Sequence, residues 1–75
     1  MQRLGTVSRT AQNLLVVRCD DADHPAIGAE AVDESLTTVG RVVDVFGPVS
    51  RPYVAVSPSG DVPAASVVGT RLYAR

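Results

Sequence analysis

Seventy-five residues with 45% hydrophobic side chains make one small domain, too short for a catalytic unit beside a recognition unit and too apolar for a disordered tail. Seven arginines, no lysine and eight acids leave a formal charge of −1, which excludes the bulk positive field that gathers nucleic acid. The one cysteine, Cys19, excludes an internal disulfide framework, and no apolar run reaches the roughly 20 residues of a bilayer span.

Valine dominates the apolar set and aromatics are few, so the expected class is all-β. Leu4 to Val7 reads as a first strand, with Gly5 allowing another backbone or a bulge to come close. Thr10 to Asn13 turns the chain. Leu14 to Val17 then runs apolar without alternation, the pattern of a strand covered on both faces. Cys19 to Pro25 is an acidic loop closed by proline, and Ile27 to Asp33 reads as a turn followed by a brief strand ending near Val32. Glu34 to Thr37 connects to a long strand, Thr38 to Phe46, with a bend expected at Gly40. Strict alternation puts Val39, Val43 and Val45 on one face and Val42 and Phe46 on the other. Gly47-Pro48 ends pairing, because proline has no amide to donate, and Pro52 sets the start of a strand from Tyr53 to Val56. Ser57 to Asp61 is a turn, Val62 to Val68 a loosely ordered connection, and Arg71 to Ala74 a last short strand. Five to six short strands with no convincing helix predict a small closed β-barrel, since closure removes exposed edges.

Little in the chain suggests catalysis. Cys19, Asp20, Asp21, Asp23 and His24 gather possible metal ligands, but one cysteine and one histidine cannot furnish a structural zinc site, and the spacing is not that of a calcium loop. A solvated acidic loop is the expectation, with no metal and no cofactor. The sole histidine lies in that proline-bounded loop, and no nucleophile elbow or phosphate-binding glycine motif occurs, so no catalytic residue is assigned. Aromatics beside arginines, Tyr53 near Arg51 and Tyr73 between Arg71 and Arg75, are weak candidates for base stacking. For direct RNA contact the candidates are Arg41 and Arg51.

The most informative stretch is Val39 to Val56, VGRVVDVFGPVSRPYVAV, which offers apolar side chains on both alternations of a strand. Either Val42, Phe46, Val49 and Tyr53 fold under the Gly47 to Pro52 loop and complete the core, or several stay outside as a patch that a partner covers. A barrel interior takes alternate residues, which favours the second disposition. The prolines add to it, because a rigid loop loses less entropy on docking.

Gly40, Val42, Asp44, Val45, Phe46, Gly47, Pro48, Val49, Pro52, Tyr53, Val54 and Val56 stand in unbroken register with the core pattern G-x-V-x-D-V-F-G-P-V-x-x-P-Y-V-x-V. In these residues the chain resembles the GAR subunit of box H/ACA ribonucleoproteins, and weaker likeness extends from Arg3-Leu4-Gly5 to Leu72-Tyr73. The resemblance implies one six-stranded barrel over residues 1–75, similar to the second domain of translation elongation factors and without the glycine/arginine-rich tails of eukaryotic members. It also implies a non-catalytic subunit that docks on a dyskerin-type pseudouridine synthase and assists loading and release of substrate RNA during ribosomal RNA pseudouridylation. Guide and substrate RNA are then met indirectly, through the particle. The expected docking residues are Val42, Phe46, Gly47, Pro48, Val49, Pro52 and Tyr53. The isolated chain is expected to be monomeric, in the cytoplasm of an archaeal-type cell and away from membranes. The competing reading is a PRC-barrel-like or translation-factor-like module that binds ribosomal RNA or a ribosomal protein directly, with Gly40, Val42 and Asp44 as its cue.

Overall fold

Gln12 and Asn13 both take positive φ, 51° and 66°, the backbone that a two-residue hairpin turn requires. They join β1 (Gln2–Ala11) to β2 (Leu14–Cys19) in a computed structural model that describes residues 2–20, 22, 25–60 and 63–75. β3 (Glu30–Val32), β4 (Thr38–Phe46), β5 (Tyr53–Pro58) and β6 (Arg71–Ala74) follow, with a short 3₁₀ helix, Ala64–Val67, before the last strand. The six strands close into a barrel in the order β1-β2-β5-β4-β3-β6, and every adjacent pair is antiparallel.

β4 and β6 have the limits expected from the sequence, whereas β1 extends well beyond Leu4 to Val7 at both ends. Ser8, Arg9 and Thr10 carry no apolar signal because they are exposed, yet Arg9, Thr10 and Ala11 are still held by main-chain pairing to Val16, Leu15 and Leu14. The turn therefore shrinks from Thr10 to Asn13 to its last two residues. β2 and β5 likewise run two residues beyond Val17 and Val56. The segment Val62 to Val68 is not merely loose. Among its described residues is the 3₁₀ turn, whose half-buried Val67 packs on the core, while Val7 N donates to Thr70 O and Gly69 N to Val7 O, fixing the connection to β1.

The core is aliphatic: Leu4, Val7, Leu15, Val17, Cys19, Ala31, Val39, Val42, Val54, Val56 and Leu72 form one buried cluster. No polar or charged side chain is buried among the described residues. Gly5 is required by close approach, because a Cβ there would fall on the main-chain carbonyl of Arg18 across the β1–β2 pair. On the outward row of β2, Val16 is buried as well, opposite Arg9 of β1 and Ala55 of β5, which accounts for the unalternating Leu14 to Val17.

Two bulges correct the expected faces of β4. Against β3, Ala31 pairs with Gly40 and Val32 with Thr38, so Val39 is an extra residue. Against β5, Val42 pairs with Val56 and Asp44 with Ala55, which makes Val43 extra. Each bulge shifts the alternation by one. Val39 and Val42 therefore both point inward, Val45 is half-buried against the core, and Val43 and Phe46 stay outside.

The seam between β3 and β6 rests on only two pairs, Ala31 with Ala74 and Val32 with Tyr73. Glu30 reinforces it. Its carboxylate accepts from Thr38 Oγ1 at 2.7 Å and lies 3.3 Å from the Arg75 guanidinium, and its carbonyl accepts from Arg75 N.

Candidate functional site

Past Phe46 the chain leaves the barrel wall in a loop, residues 47–52, tied at both ends. At the start Gly47 takes φ 88°, where a side chain is strained, and a Cβ there would stand 2.9 Å from Tyr53 Cδ2. Glycine is needed on both counts. At the far end Pro52 is buried and its carbonyl accepts from Cys19 N at 3.0 Å, joining the loop to β2. Phe46 and Tyr53 are directly opposite in the β4–β5 pair, and their rings stack with centroids 5.7 Å apart and an interplanar angle of 19°.

The loop so held presents an apolar ledge. Val49 is 90% exposed and Phe46 41%, Pro48 is exposed beside them, and Tyr53 is half-buried behind Phe46. A groove of about 250 Å³ runs along it, lined by Ala22, Val45, Phe46, Gly47, Pro48, Val49 and Pro52. Six of the seven expected docking residues are thus gathered around one corner of the barrel. The seventh, Val42, is 1% exposed and belongs to the core, because the bulge at Val43 leaves it facing Val56. The apolar surplus read from the sequence divides accordingly: Val39 and Val42 are structural, and Val43, Phe46 and Val49 remain outside.

Arg41 and Arg51 are not brought together. Arg51 is exposed in the loop, whereas Arg41 is toward the other end of β4, in register with Glu30 on one side and Ser57 on the other, and donates from Nη1 to Gly28 O at 3.2 Å. The sequence reading missed Arg18, which is opposite Tyr53 in the β2–β5 pair, and Ala22, which lines the groove. Neither has a local signal, since each reaches the corner only through the pairing of distant strands.

A second, polar cleft is lined by Thr6, Asp33, Glu34, Ser35, Gly69, Thr70 and Arg71. Its Asp33 carboxylate serves the β3–β4 turn, accepting from the amides of Ser35 and Thr37 at 2.9 and 3.0 Å. In the acidic loop, Asp21, Asp23 and His24 lie outside the described residues, and among the described residues no three potential metal ligands cluster.

Comparison with known proteins agrees with this architecture. The chain matches, over residues 1–75, the family model described as the Gar1/Naf1 RNA binding region. The solved structure of the Gar1 domain of Naf1 is similar at a TM-score of 0.70, covering 99% of this chain and 81% of that chain at 14% identity, a likeness of fold. No curated protein sequence matches the chain. The full-length family match supports the resemblance drawn from the Gly40 to Val56 pattern: the chain belongs to the Gar1/Naf1 family of RNA-binding, H/ACA-associated domains.

Proposed function

We propose that this protein is a non-catalytic accessory subunit of a box H/ACA guide ribonucleoprotein, acting in the cytoplasm of an archaeal-type cell. It docks on the pseudouridine synthase subunit with the ledge formed by Phe46, Gly47, Pro48, Val49 and Tyr53, and assists substrate RNA loading and release. The supporting observation is Val49, left 90% exposed beside Phe46 on a barrel whose core is complete without either. An aromatic and an aliphatic side chain on a doubly anchored, proline-stiffened loop give contact area with little ordering cost on association. Among the described residues the groove along the ledge is lined by no charged side chain, which favours protein over RNA as the principal ligand of this corner.

Mixing the chain with the synthase subunit, without RNA, should give a one-to-one complex on size exclusion. That complex should persist when salt is raised, because apolar burial is screened far less than phosphate contact. Val49→Asp should abolish co-elution while the barrel stays folded. Undiminished co-elution of that variant would remove the proposal's basis. A complex that forms only with RNA present and dissolves with salt would favour direct RNA binding instead.

A further inference from the structure

Strand register places a second group of side chains on the outer wall, beginning at the rim of the ledge and running away from it. Arg71 of β6 pairs with Thr6 of β1, Thr6 with Arg18 of β2, and Arg18 with Tyr53 of β5. In the adjoining row Arg9 of β1 is opposite Val16, two residues before Arg18 on the same strand. Arg9, Arg18 and Arg71 are all exposed, and among the described residues none makes an ion pair or side-chain hydrogen bond. The acids around them are largely occupied or distant. Asp20, two residues from Arg18, pairs with Arg3; Asp44 ends the Arg9 row on β4; Asp33, which borders Arg71 with Glu34, is engaged by the amides of its own turn.

From this geometry we propose that Arg9, Arg18 and Arg71 form a binding track for the phosphodiester backbone of RNA, running across β2, β1 and β6. With neighbouring strands about 4.8 Å apart, the backbones under Arg18 and Arg71 are about 10 Å apart across β1. Arginine forks on stems of that reach engage separate phosphates of one strand, and the intervening Thr6 hydroxyl offers a neutral partner between them. The domain's negative total charge is no obstacle, because counterion release depends on the few phosphates neutralised at the track. Arg18 borders Tyr53, so RNA on the track would run past the rim of the ledge without covering Val49.

The test is fluorescence anisotropy of a labelled RNA single strand of about a dozen nucleotides, and of a duplex of the same length, titrated with the full chain between roughly 50 and 200 mM salt. For a single strand with three phosphates engaged, the slope of log affinity against log salt should be about −2, an affinity loss of roughly 15-fold across that range. Arg9→Gln, Arg18→Gln and Arg71→Gln together should flatten the slope to near zero, and each alone should reduce it by about 0.7. Arg41, expected from the sequence to contact RNA, lies off the track on β4 beside Glu30 with its guanidinium on Gly28 O, so Arg41→Gln separates that expectation from the track and should leave the slope unchanged. Retention of the slope by the triple variant, or an equal loss from Arg41→Gln, overturns the track. So does a triple variant that keeps RNA affinity and loses the synthase, which would assign these arginines to the protein interface. Tighter binding of the single strand or of the duplex identifies which RNA form the track holds; no binding of either overturns it. Val49→Asp should not alter the slope, so the track and the docking ledge fail separately.

Discussion

Two valines seven positions apart on the same stretch of chain are expected to respond oppositely to truncation. Val42 is 1% exposed in the core, while Val49 is 90% exposed on the ledge. Val42→Ala removes two buried methyl groups, about 1.6 kcal/mol at roughly 0.8 each, and the cavity left behind brings the cost to about 2–3 kcal/mol. For a domain of this size 1 kcal/mol moves the melting midpoint by about 4–8 °C, so Val42→Ala should melt roughly 10–20 °C lower. Val49→Ala removes the same groups from water, where the change in stability is within about 0.5 kcal/mol. In the proposed complex, however, those groups would be buried, and losing about 1.5 kcal/mol there should weaken association roughly tenfold. Thermal denaturation followed by circular dichroism, with calorimetric titration of the synthase below both midpoints, reads the two effects independently. A Val49→Ala protein that binds like the parent, or that melts as low as Val42→Ala, refutes the division between core and ledge. Weakened docking by folded Val42→Ala, with none from Val49→Ala, would place the interface elsewhere.

Gly47→Ala should cost about 1–3 kcal/mol, since alanine is strained at φ 88° and its Cβ meets the Tyr53 ring at 2.9 Å. Both the melting midpoint and synthase affinity should fall, and a parent-like midpoint would show that the loop accommodates a side chain. Glu30→Ala removes the Thr38 hydrogen bond and the half-exposed Arg75 ion pair at the two-pair β3–β6 seam, so a loss of about 1 kcal/mol is expected, with little of it sensitive to salt. Hydrogen exchange should quicken first at Ala31, Val32 and Ala74; uniform quickening around the barrel would contradict a weak seam.

The sequence carried those parts of the fold that depend on local chemistry. Thr38–Phe46 was legible from its β-branched run and from the Gly47-Pro48 stop. Residues 8–11 were not, because their strand conformation comes from pairing with β2 and not from apolar side chains. The bulges at Val39 and Val43 were equally hidden. One is an extra residue between pairs made to β3 and the other between pairs made to β5, and alternation counted along a single strand cannot reveal either. The surplus of apolar residues thus divides in a way the sequence did not show, since the bulges take Val39 and Val42 inside and leave Phe46 and Val49 exposed at the Gly47 corner. Phe46, Pro48 and Val49 could be read from one segment; Arg18 beside Tyr53 needed the β2–β5 register.

Closure of the barrel limits how this chain can bind anything. Every strand has a paired neighbour on both sides, so no strand offers a free ladder along its whole length, and one-sided pairing is left only at overhanging ends such as residues 9–11 of β1 and 43–46 of β4. Recognition is therefore carried chiefly by side chains on the outer wall and by main-chain groups in loops. On that wall chemistry is sorted by strand, with aromatic and aliphatic groups where β4 turns into β5, and arginines across β2, β1 and β6. Tyr53 stands between the two, stacked on Phe46 and in register with Arg18. A partner seated on Val49 and Phe46 would dehydrate the ring that borders Arg18 and strengthen any phosphate contact made there, since charge-assisted bonds gain as water is excluded. Synthase docking and RNA affinity are thereby expected to reinforce each other through this one tyrosine, although no residue is shared between the Val49 contact and the arginine track.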